Sequence, residues 1–180
     1  MENKDWIKFK FISENKFATA TIDKCWGFQI QKNTKWNQGL TEDEINNLQL
    51  NIGLEFPLDY IEMLKVINGF DSMHISIDPN GIEEPNYKRR CYKYPEDLES
   101  TKYLIDEVNE NIIYANEALQ EAGFDSNQVE SFIPLYGHRV LVVLKDKLQS
   151  PVISIWGSDI ILYGDSLFNY WHQEFHIELD

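Results

Sequence analysis

The sequence predicts an α+β fold. Strand-like runs cluster at residues 139–163 instead of alternating regularly with helices. Two earlier stretches carry helical apolar spacing and helix-end signals. The 180 residues are 43% hydrophobic and 13% aromatic, enough for a buried core and unlike a disordered chain. The length suits one domain spanning residues 1–180, with residues 1–25 as a strand-rich N-terminal extension.

In chain order, KFKFI, KFATATI and WGFQI, within residues 5–31, read as short strands because β-branched and aromatic residues partly alternate. QKNTKWNQG follows as a polar connector. Thr41-Glu42-Asp43-Glu44 has the form of a capping box, and Ile45, Leu48 and Ile52 then fall on one helical face. Gly53 supplies the left-handed stop.

GLEFPLDYIEMLKVINGF predicts a second helix, started by Pro57 and closed by Asn68-Gly69. Tyr60, Ile61, Leu64 and Ile67 hold the i, i+3, i+4, i+7 positions. Met63 and Val66 widen the apolar arc, so this helix is expected to be buried on more than one side. MHISID alternates like a strand, and PNGIEEPNYKRRCYKYP reads as loop.

Glu96 to about Ala122 predicts one long helix, with Leu98, Ile105, Val108, Ile112, Ala115, Leu119 and Ala122 inward and Gly123 as its stop. RVLVVL, PVISIW and DIILY are strands. Asp165 or Ser166 caps a last helix that buries Leu167, Trp171 and Phe175.

The net charge is −14, unevenly spread. Residues 1–40 carry +3 and residues 41–180 carry −17. Such a field repels phosphate backbones, so direct nucleic-acid binding is disfavoured, and it attracts a basic protein. No apolar run reaches the length of a membrane span, and the charged start is unlike a signal peptide. Cys25 and Cys91 make no disulfide framework, so reduced thiols in the cytoplasm are expected.

Catalytic signals are sparse. HQEFH places His172 and His176 at i, i+4, but Gln173 stands where the zinc-protease motif needs Glu. The pair reads as the polar rim of an amphipathic helix. His138 beside Arg139 could act as a base, yet reads as a turn histidine. Cys25 reads as a small buried hydrophobe, and KRRCYK as a solvated basic island. No glycine-rich phosphate loop is present. No catalytic residue, metal or cofactor is expected from these signals.

The order of motifs resembles the SUKH superfamily. The resemblance runs from WGFQIQKNTKWNQGLTEDEI through GLEFPLDYIEMLKVINGFD and YKYPEDLES to FIPLYGHRVLVV and PVISIWGSDIILYGDSLFNYWHQEF, roughly residues 26–175. Bacterial members are mostly immunity proteins of toxin systems; fungal members include cell-wall assembly regulators. The resemblance implies a central, mostly antiparallel sheet packed with helices. It also implies a protein that binds and neutralises a cognate toxin, here a basic nuclease. The alternative it implies is a regulatory or scaffold protein with an endogenous partner. The expected partner contacts are Asp71, Asp78, Glu83 and Glu84 after the Asn-Gly pair, and Asp159 and Asp165 near strand and helix ends.

Overall fold

The structure, a computed structural model, describes residues 3–21, 27–72, 75–77, 83–85, 91–110, 112–121, 123–156 and 159–178. The fold is α+β, and every strand pairing among the described residues is antiparallel.

The middle layer is a four-stranded meander. Its strands, at Val129–Tyr136, Arg139–Leu144, Val152–Trp156 and Asp159–Gly164, lie side by side in chain order. The first two meet through the two-residue turn Gly137-His138. Gly137 there takes a φ of 57°, and tight hairpins favour glycine in that first position. Side chains alternate between the faces of a strand, so a sheet buried on both sides needs an uninterrupted apolar run. RVLVVL is such a run. Val140 and Val142 go to one side with Phe132 and Ile153; Leu141 and Val143 go to the other with Ile133 and Val152.

Among the described residues, six α-helices and two smaller sheets complete the fold. In chain order the helices are α1 (Asn3–Phe17), α2 (Glu42–Ile52), α3 (Leu58–Leu64), α4 (Leu98–Glu110), α5 (Ile112–Glu121) and α6 (Leu167–Glu174). The strands outside the meander are β1 (Gly27–Gln29), β2 (Trp36–Gln38), β3 (Ile67–Phe70), β4 (Ile75–Ile77) and β5 (Glu83–Pro85), so the meander is β6 to β9. Ala115 and Leu119 of α5 cover the Phe132 face of the meander. The larger core covers the other face, drawn from α1, α2, α3, α6 and the β2–β3 ribbon.

The first correction concerns the N-terminus: residues 3–17 form a helix, not strands. Trp6, Phe9, Ser13 and Phe17 are its buried residues, at helical spacing. The period-2 pattern of KFKF is coincidental, since Phe9 is fully buried and Phe11 is exposed. Nor is this segment an appendage. The Trp36 indole donates to Ser13 Oγ at 2.7 Å, and Lys10 Nζ donates to the carbonyls of Asn37 and Val66 at 2.8 and 3.1 Å. Glu14 accepts from the Trp36 amide at 3.1 Å.

The capping box of α2 forms on both sides. The Glu44 amide donates to Thr41 Oγ1, and the Thr41 amide donates to Glu44 Oε2 at 2.8 Å. Gly53 closes the helix at φ 76°. The second correction falls just downstream. The helix begun by Pro57 ends at Leu64, and Ile67–Phe70 is a strand paired with β2, Trp36 opposite Phe70.

Asn68-Gly69 is therefore a docking point and not a helix stop. The Asn68 side chain donates to the Tyr94 carbonyl at 2.7 Å and accepts from the Tyr94 amide at 2.9 Å. Gly69, at φ 68°, lies so close to the 91–94 backbone that a Cβ would sit 2.8 Å from the Tyr92 carbonyl oxygen.

Two short strands also depart from expectation. The predicted connector contains β2, and the predicted loop contains β5. Both are three-residue strands defined by their neighbours more than by their own composition. The predicted long helix is helical over α4 and α5, and residue 111 between them lies outside the described residues. Of the two expected caps of α6, Ser166 serves, accepting from the Asn169 amide at 3.2 Å. The Trp171 indole donates to Met63 Sδ at 3.1 Å, and Trp36 stacks on Phe70 at 4.0 Å between centroids.

Candidate partner-binding surface

Two of the candidate histidines, His172 and His138, are held by the fold. His172 is buried, not on a helix rim. Its Nδ1 lies 2.8 Å from the Phe168 carbonyl, and its ring packs against Phe168 and Phe9 at 4.1 and 5.1 Å. Burial holds its pKa below the usual histidine value. His176 lies beyond the end of α6, exposed, at φ 48°. The two rings thus do not share a helix face. Among the described residues no three His, Cys, Asp or Glu side chains are grouped to hold a metal ion.

His138 sits in the β6–β7 turn, hydrogen-bonded to Arg139 Nη1 and edge-on to Trp156 at 5.2 Å. Arg139 also reaches Ser154 Oγ at 2.8 Å and Glu174 Oε2 at 3.3 Å, and it lies 3.7 Å over the Tyr163 ring. Burial pushes the Glu174 carboxyl up, and the Arg139 charge opposes that. This guanidinium ties β7, β8, β9 and α6 together, which assigns it to the scaffold. Cys91 is buried and its thiol is pushed up by burial, the opposite of an activated nucleophile. Cys25 and the first half of the KRRCYK island, residues 88–90, lie outside the described residues.

The predicted contact acids do not converge. Asp71 accepts from the Lys35 amide at 2.8 Å and from Ser72 Oγ at 3.0 Å, so it clamps the end of the β2–β3 ribbon. Glu83 and Glu84 lie on β5, opposite Ile77 and Ser76. Asp78 lies outside the described residues. Asp159 is exposed at the start of β9. Asp165 is exposed just past its end and accepts from Asn169 Nδ2 at 2.8 Å. Six residues of strand separate these two carboxylates by about 20 Å.

A more coherent surface lies on the outer side of α4 and α5. Residues 96–125 contain nine acids and one base, Lys102, itself paired with Glu99 at 3.1 Å. Asp106, Glu107, Glu110, Glu117 and Glu121 are all exposed. Tyr103, Ile113 and Tyr114 stand among them, 68%, 68% and 55% exposed. Exposed apolar side chains among exposed carboxylates on the same helices have the make-up of an interface centre with a charged rim.

Sequence reasoning overlooked this surface because it followed the inward stripe of the same segment. The signal was present: at helical spacing Tyr103, Asp106, Glu107, Glu110, Tyr114, Glu117 and Glu121 all fall on the side opposite that stripe.

Neither a protein-family model nor a curated protein matches the chain. No helix among the described residues is long and apolar enough to cross a membrane.

Proposed function

We propose that this protein acts by binding, as a cytoplasmic immunity protein of the SUKH type that neutralises a basic toxin domain. The observation that carries the reading is the outer face of α4 and α5, where Tyr103, Ile113 and Tyr114 stand exposed among clustered carboxylates. Acidic side chains can occupy, on a nuclease, the places that phosphates would take, and they speed the encounter with a cationic partner. The motif order along residues 26–175 supports the same reading. Neutralisation on this account needs no reaction, metal or cofactor. It is steric and electrostatic occlusion of the toxin's substrate groove.

The test is a binding titration between the purified chain and the C-terminal domain encoded by the neighbouring toxin gene, in low and high salt. The expected result is a one-to-one complex that weakens as salt rises. The Tyr103→Ala/Tyr114→Ala variant should bind at least thirtyfold more weakly, the range of interface hot spots. If no neighbouring toxin binds, or if the double variant binds unchanged, the reading fails.

A further inference from the structure

We propose that the open edge of β9 accepts an extended, basic segment of the partner as a fifth strand of the meander. This deepens the function proposed above and rests on its premise of a basic partner. β9 is an end strand, with β8 on one side only. In an antiparallel ladder, alternate residues of an end strand turn their N–H and C=O groups away from the sheet. Among the described residues no backbone hydrogen bond reaches Asp159–Gly164 from any element other than β8.

Exposed edges are commonly protected by lysine, proline or a covering element. DIILYG contains neither lysine nor proline, and its only charge is Asp159 at the first position; its ladder with β8 is regular over Asp159–Leu162 and shifts register before Gly164, which is buried beside Tyr170 of α6. The side chains beside the edge are also suited to an incoming strand. Trp156 and Ile161 are 55% and 49% exposed on the face that carries Ser154 and Tyr163. Ile160 and Leu162 pack toward α5 on the other face. In strand addition, backbone hydrogen bonds supply affinity and alternate side chains supply selectivity.

The charges choose the occupant. Asp159 and Asp165 bracket the edge, both exposed, about 20 Å apart. A segment of six or seven extended residues, with Lys or Arg near each end and apolar side chains between, matches both carboxylates. A second copy of the chain does not. Antiparallel pairing of β9 with itself would bring Asp159 of each copy toward Asp165 of the other, between molecules of charge −14.

The experiment titrates the isotope-labelled full chain with the doubly capped heptapeptide Lys-Val-Thr-Val-Thr-Val-Lys, following amide shifts and hydrogen exchange. A control peptide carries Glu at both ends. The expected result is shifted, exchange-protected amides within Asp159–Gly164, at least tenfold weaker binding of the control, and about three- to tenfold weaker binding by Asp159→Asn/Asp165→Asn. Silent β9 amides at millimolar peptide overturn the proposal, as does equal binding of the two peptides. Dimers in sedimentation that protect the β9 amides without peptide overturn the choice of occupant. The Tyr103→Ala/Tyr114→Ala variant should leave this titration unchanged, so failure here is separable from failure of the acidic helical face.

Discussion

Phe9 and Phe11 stand two residues apart in KFKF, and the pair decides between two structures for the N-terminus. On a strand they share a face, and truncating either costs the same. On α1 they point apart: Phe9 is fully buried and Phe11 is 68% exposed. Phe9 lies against Trp6, Trp36 and His172, with ring centroids 5.7, 6.0 and 5.1 Å away. Phe9→Ala removes these contacts and leaves a cavity walled by large rings, which costs about 3–5 kcal/mol. For a domain of this size that corresponds to a fall in Tm of roughly 6–20 °C. Phe11→Ala removes a solvated ring and should stay within about 0.5 kcal/mol of the parent. Urea unfolding followed by tryptophan fluorescence measures both. Equal costs, or a Phe9→Ala cost below about 1 kcal/mol, would refute the assignment of α1 to the core.

Other outcomes follow from the same contacts. Asn68→Ala removes both hydrogen bonds to Tyr94 and should lower stability by about 1–3 kcal/mol, read from the urea midpoint. Burial and the nearby Lys8 charge lower the folded pKa of His172, while its bond to Phe168 works the other way. Below pH about 6.5 the unfolded chain thus binds the extra proton, so this histidine's contribution is complete above that pH and is lost as pH falls. His172→Phe should flatten the fall in stability between pH 7.5 and 5.5; an unchanged slope counts against the buried placement. In binding, the Tyr103→Ala/Tyr114→Ala loss and the β9 titration are read separately, as set out above.

Legibility followed how local each determinant was. The Thr41–Glu44 box, the Gly53 stop and the run RVLVVL each carry their cause within a few residues, and all three appear where expected. α1 was misread because its helical face includes Ser13, a polar residue buried only because the indole of Trp36 reaches it. Nothing near residue 13 signals that tryptophan. The end of α3 was misread for a related reason. Val66 and Ile67 extend the apolar spacing of the helix, but the strand they enter is defined by β2 and by the clasp of Asn68 on Tyr94. Of the surface, the excess negative charge was legible and its location was not. Loop acids such as Asp71 proved to hold the backbone, whereas the contiguous acidic face lay on a segment recognised mainly for its buried stripe.

The Asn68–Tyr94 clasp has one more consequence. It joins two points 26 residues apart in the chain, and Gly69 presses against the same backbone. Of the span between them, β4 pairs with β1, and Phe70 and Cys91 enter the core. Lengthening such a span costs only the slow logarithm of loop closure, about 0.6 kcal/mol per doubling. Residues added within that span should thus cost little so long as the clasp holds.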